Sequence, residues 1–392
     1  MQTQHFNWPL LALAIGAFAI GVTEFSPMGM LPVIAESVQV SIPSAGMLVS
    51  AYALGVMLGA PVMTLLFARY GRRAALIGLM VIFTLGNVMS ALAPGYWTLL
   101  LARVVTSLNH GAFFGLGALV AASIVPKERQ AAAVATMFMG LTIANIGGVP
   151  LATWISQHIG WRAAFVGTAV LGLVTIAALR LALPGGAAGA RPELRREMRV
   201  LRRPEVILAM LTTVLGASAM FTLYTYVAPM LETLAGASDR FIMLALVLIG
   251  VGFTLGNWLG GRLASCSLER ATALFLAALA AISFAAPLLL IHEAAAAATL
   301  LIWGVAAFAV VPPVQTRVML AAQEAPGLAS SLNIGAFNLG NAIGAAVGGA
   351  VLNAGLGYAA VSVAGGACAA AALLLVWLSR RPVQLAPDGC KI

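Results

Sequence analysis

Among acidic, basic and histidine side chains, Glu24, Arg103 and His110 lie deepest inside stretches otherwise apolar enough to cross a bilayer, at least six residues from either end. A carboxylate in hydrocarbon costs a few kcal/mol on insertion scales, so Glu24 must be paired, protonated on demand, or both. An acid so placed can bind a proton or an organic cation. The competing reading is a fixed counterion for a neighbouring arginine. At ~1.5 Å per residue, Glu24 sits roughly 12 Å below the end of its segment at Pro32, and Arg103 about 9 Å from Trp97. The depths match, and Glu24 is the intramembrane acid available to Arg103. Protonating Glu24 would break such a pair and so couple a proton to a conformation. His110 titrates near physiological pH and can join that relay, or it can be a hydrogen-bonded packing residue.

Further polar and aromatic groups follow at helical spacing. Ser107 and Phe114 extend the face that carries Arg103 and His110. Asn145 lies in Gly140–Pro150, where small residues allow close helix approach and Pro150 interrupts the hydrogen-bond ladder. Gly148 and Pro150 are therefore the expected hinge. Later in the chain, Tyr226 stands on one face with Ser218 and Thr222, and Asn333, Phe337 and Asn341 share another. Hydroxyls, amides and rings suit a neutral or weakly amphipathic ligand. Interhelical hydrogen bonding explains them equally well.

The elements that must position these groups are apolar helices. Of 392 residues, 61% are hydrophobic and 8% charged, with a mean hydropathy of +1.01, which excludes a soluble globule of this size. Windows of about twenty residues give twelve spans. The first six run Trp8–Leu31, Ser44–Phe67, Ala74–Leu92, Trp97–Ile124, Ala131–Trp154 and Trp161–Leu183. The others run Val206–Met230, Phe241–Ala264, Ala271–Ile291, Ala297–Leu320, Leu328–Asn353 and Tyr358–Leu378. The fold class is thus an all-α integral membrane protein of two six-helix halves, 1–183 and 206–379. A linker, 184–205, with an amphipathic helix over Glu193–Arg203 joins them, and a tail, 380–392, follows. Arg162 and Arg240 apart, the basic residues outside the spans fall in one set of alternate loops and termini, which places both termini in the cytoplasm.

The two halves echo each other. Thr23-Glu24-Phe25-Ser26-Pro27-Met28 matches Thr225-Tyr226-Val227-Ala228-Pro229-Met230, so Tyr226 is the counterpart of Glu24. Leu99-Leu100-Leu101 before Arg103 recurs as Leu300-Leu301-Ile302 before Gly304. Internally duplicated transporters place substrate between their repeats.

The net charge of +9 belongs to membrane topology and does not imply a nucleic-acid partner. The expected partners are the bilayer, protons and a small molecule. No Gly-rich phosphate loop ends in Gly-Lys-Ser/Thr, and the histidines and cysteines have no metal-ligand spacing, so no cofactor, metal or enzymatic centre is expected.

With these residues placed, nearly the whole chain resembles the major facilitator superfamily, in its twelve-span drug and sugar proton antiporter branch. Thr23-Glu24-Phe25 followed by Leu31-Pro32, and Ser50-Ala51-Tyr52-Ala53-Leu54-Gly55, are similar to bacterial arabinose, purine-nucleoside and chloramphenicol exporters. Leu101-Ala102-Arg103 matches the fourth-span arginine motif, His110–Gly115 is similar to the exporter branch, and Gly147–Pro150 resembles the antiporter motif. The loop motif Arg69-Tyr70-Gly71-Arg72-Arg73 fits, but Ala68 stands where relatives usually have Asp, and Ser265 replaces the corresponding acid after Gly260–Ala264. Those acids normally brace the cytoplasmic gate. The resemblance implies proton-driven export of a small organic compound by a monomer, with Phe25 beside Glu24 in the cavity. An importer or uniporter, or a non-transporting sensor or lipid-modifying enzyme on the same scaffold, are the alternatives.

Overall fold

The computed structural model describes residues 7–126, 129–185, 203–322 and 326–379. Apart from Arg203, the linker helix expected over 193–203 lies outside them, as does the tail after 379.

Among the described residues, twelve helical segments are long and apolar enough to cross a membrane, and every regular element is helical. Eight are single helices: α1 (Trp8–Ser37), α2 (Ile42–Phe67), α3 (Arg72–Ala91), α8 (Trp161–Ala182), α11 (Asp239–Cys266), α12 (Leu268–Leu289), α15 (Pro326–Asn353) and α16 (Gly357–Leu378). The other four are interrupted. Span four divides into α4 (Tyr96–Ser107) and α5 (His110–Ser123). Span five divides into α6 (Gln130–Ile143), a π turn (Ala144–Gly148) and α7 (Val149–His158). Span seven is α9 (Pro204–Tyr224), continued by α10 (Val227–Ala235), and span ten is α13 (Glu293–Ala309) with α14 (Val311–Ala321).

Three interruptions have a proline just beyond them. Pro150, Pro229 and Pro312 each lack the N–H that would bond four residues back, so the ladder loosens there. In span five the loosened turn is a π turn, as happens where one backbone bond is skipped. The expected span boundaries agree with the helices to a few residues at most ends; α1 runs six residues further, to Ser37.

The chain forms two compact units, one of residues 1–40 and 54–192, the other of 41–53 and 193–392. The start of α2 thus belongs with the second unit: Ser50 Oγ donates to the Ala342 carbonyl at 3.0 Å. Within the first unit α1 packs on α6, α7 and α8, and α3 packs on α4 and α8. Within the second, α9 packs on α15 and α16, and α11 on α13. Leucines and tryptophans left facing outward, such as Leu181, Trp97 and Leu288, suit a hydrocarbon solvent.

Candidate functional site

In the first unit α1 is buried on every side from Ala19 to Leu31. A side chain at Gly140 would strike the Ala14 carbonyl, one at Gly21 would strike Leu141 and Ala144, and one at Gly148 would strike Val22. These glycines let α1 lie flush against α6 and the π turn. Glu24 is therefore fixed in a tightly held helix, 6% exposed.

Around Glu24 the structure gathers all three ionisable groups picked out from the sequence. Its Oε2 lies 3.9 Å from His110 Nε2, within ion-pair reach but longer than a hydrogen bond. Arg103 acts on the same carboxylate electrostatically. Its guanidinium sits 5.9 Å from the Phe165 ring centre, and Nη1 donates to the Thr23 carbonyl at 2.9 Å. The depth expected from residue counting is thus realised through a contact one residue before Glu24, and to backbone.

That backbone contact has a specific cause. Thr23 is four residues before Pro27, so its carbonyl has lost its intrahelical donor. Arg103 supplies one in its place, and α1 continues unbroken through Pro27 and Pro32. A buried carbonyl without a donor would cost roughly 1–3 kcal/mol.

Sequence reading missed the residues that complete this network. Asn87 on α3 accepts from Thr23 Oγ1 at 2.9 Å and from Thr168 Oγ1 at 2.8 Å, and its amide donates to the Phe83 carbonyl. Asn87 is fully buried and ties α3 to α1 and α8. The available signal was the spacing of Thr84, Asn87 and Ser90, three polar residues at helical intervals in an apolar span. Asn109, at the α4–α5 junction, was also passed over; it too is fully buried, and its Oδ1 has no hydrogen-bond partner.

The remaining expected ligand-binding residues divide into groups. Phe114 joins the Glu24 cluster, its ring centre 5.1 Å from that of His110, and it stacks on Phe138. Phe25 is buried beside Glu24 in sequence. Ser107 donates to the Val104 carbonyl and lies flush against Gly55 of α2, a packing position. Asn145 donates to the Leu141 carbonyl, while its buried Oδ1 has no hydrogen-bond partner.

In the second unit, the Tyr226 hydroxyl donates to the Ala345 carbonyl at 2.8 Å, and its ring lies against Gly46, Gly348 and Gly349. Ser218 donates to the Gly340 carbonyl at 3.1 Å, so the Ser218–Tyr226 face is a seam between α9 and α15. Asn333 donates to Gln315, Phe337 meets Phe221 edge-to-face, and the buried Oδ1 of Asn341 has no hydrogen-bond partner.

The expected gate residues stand where α2 turns into α3. Gly71 caps α3 in extended backbone, Arg69 lies over the Tyr70 ring at 5.3 Å, and Arg73 Nη1 donates to the Leu183 carbonyl at 3.1 Å. Arg72 is exposed at the same turn. Gly148 and Pro150 are buried at the π turn.

Twelve helices apolar enough to cross a membrane, the first of them carrying a buried acid, are those of a multi-pass membrane protein. The family model described as Major Facilitator Superfamily matches residues 13–333, and the chain belongs to that superfamily. It is 63% identical over 375 residues to the Inner membrane transport protein YdhP of Escherichia coli (strain K12), covering 96% of each chain. It is 33% identical over 386 residues to the Chloramphenicol resistance protein of Streptomyces lividans, covering 96% of this chain and 97% of that one. Among solved structures, a partially occluded inward open conformation of the xylose transporter XylE from E. coli matches with a TM-score of 0.74. That match covers 97% of this chain and 99% of the other at 16% identity, and it bears on the fold alone.

Proposed function

We propose that this transporter exports a small organic compound in exchange for protons, with Glu24 as the protonation site. The observation that carries the reading is the one buried acid among the described residues of the first unit, 3.9 Å from His110 and under the field of Arg103. Neutralising that acid removes its attraction for positive charge and favours another packing of span four on α1, while the Arg103 bond to the Thr23 carbonyl persists. The similarity to a protein named for chloramphenicol resistance supports export of drug-like amphiphiles, with pentoses, nucleosides and organic cations as further candidates. The protein would act as a monomer, and the name of the YdhP relative supports a place in the bacterial inner membrane. The distribution of basic residues would place both termini in the cytoplasm.

The test is a ligand screen in proteoliposomes and everted vesicles under an imposed pH gradient, reading proton movement against substrate. Glu24→Gln is expected to abolish pH-driven accumulation while leaving counterflow of substrate measurable. Retained coupling in Glu24→Gln would overturn the assignment of Glu24. Accumulation in right-side-out rather than everted vesicles would make the protein an importer.

A further inference from the structure

The arginine pair at the start of α3 opens onto a pocket of about 230 Å³, lined by Arg72, Arg73, Val120, Ser123, Ile124 and Leu183, with Pro184 and Gly185 at its edge. Its electrostatics are one-sided. The N-terminus of a helix carries partial positive charge and favours acids. Yet α3 begins with two arginines, no acid in its first turn and no side-chain cap. Ala68, just upstream, contributes no carboxylate either. Among the described residues, Arg72 and Arg73 have no carboxylate within ion-pair distance. Arg73 spends one N–H on the neutral Leu183 carbonyl. Two guanidiniums and a helix N-terminus therefore converge on one cavity, with no carboxylate among the described residues to pair them.

The walls decide which anion. Val120, Ile124 and Leu183 make them apolar, and neighbouring Leu181 and Leu119 point outward, 88% and 63% exposed. A free inorganic anion gains nothing from those surfaces. A phospholipid uses both parts: its phosphate meets the arginines in charge-assisted hydrogen bonds, and its acyl chains continue the apolar face. We infer that this pocket binds the headgroup of an anionic phospholipid, with the phosphate held by Arg72 and Arg73. The inference does not depend on proton coupling or on the substrate.

The test uses the full chain purified in detergent, exchanged into mixed phosphatidylglycerol and phosphatidylcholine, with lipids that stay bound counted by native mass spectrometry. Wild type is expected to retain phosphatidylglycerol over phosphatidylcholine. Near a membrane surface each arginine contributes about a fivefold preference, so Arg72→Gln/Arg73→Gln should lower retention roughly tenfold or more. Arg72→Lys/Arg73→Lys should keep most of it, which separates lost charge from lost folding. Arg262→Gln, an exposed arginine of the second unit, should leave it unchanged. Equal retention of the two lipids by wild type would overturn the inference. So would displacement of phosphatidylglycerol by millimolar inorganic phosphate, which would make this a soluble-anion site. A gain in retention on Glu193→Gln/Glu197→Gln, from a wild type that retains none, would overturn it by making the pocket's occupant the chain's own acidic residues.

Discussion

Two prolines hold matching places in the two units, and the chain treats them differently. Pro27 lies inside α1, which runs unbroken from Trp8 to Ser37, whereas Pro229 follows an interruption at Thr225–Tyr226. Each proline deprives the carbonyl four residues earlier of its donor, at Thr23 and Thr225. In the first unit Arg103 donates to the deprived carbonyl. Its sequence counterpart in the second unit is Gly304, which has no side chain and packs against the Ile249 backbone. There the span breaks, and Tyr226 is anchored to Ala345 instead. One arginine thus separates a continuous helix that carries a buried acid from a jointed one that carries a packing tyrosine.

The comparison can be broken or sharpened by substitution. The largest contrast is expected in pH-driven flux: Glu24→Gln should lose it entirely, while Tyr226→Phe should keep it, and equal loss in both would erase the functional distinction. Next, Tyr226→Ala should leave a cavity against Gly46 and Gly348 and cost roughly 3–5 kcal/mol, read from unfolding in mixed micelles. Arg103→Met should cost about 1.5–3 kcal/mol, since a charge-assisted hydrogen bond is lost and Thr23 is left without that donor. Its sharper readout is amide exchange: protection around Gly21–Ser26 should fall, as α1 acquires the joint that span seven already has. Unchanged protection would mean that packing alone holds α1 together. Asn87→Ala should cost about 1–3 kcal/mol by taking the acceptor from Thr23 and leaving Thr168 only the Phe165 carbonyl, with exchange rising in α3 as well as α1. The smallest effect belongs to Tyr226→Phe, about 0.5–1.5 kcal/mol for one hydroxyl donated to Ala345.

How far the sequence foretold this depends on whether a residue's partner is a side chain or a backbone. Twelve spans follow from apolar length, and the matched depth of Glu24 and Arg103 follows from counting residues. The atom Arg103 grips does not, because a carbonyl freed by a proline leaves no mark at the arginine's own position. Asn87 was hidden for a related reason: its worth lies in two threonines on other spans, each unremarkable alone. Tyr226 was legible as the counterpart of Glu24, but its locked position depends on Gly46, Gly348 and Gly349 making room from two directions. The junction at Leu108–Asn109 has no proline beyond it, so nothing local announced it.

That junction gives span four two separate handles on α1. Below it, Arg103 on α4 holds a backbone oxygen, whose attraction is the same whether or not Glu24 carries a proton. Above it, His110 Nε2 on α5 lies 3.9 Å from Glu24 Oε2, on the group whose charge a proton would change. If Glu24 is the protonation site, as proposed, Arg103 is the handle that a change of charge there leaves in place, and His110 the one that registers it. Motion released this way would turn α5 about a fixed point on α4, instead of letting α1 slide out of register.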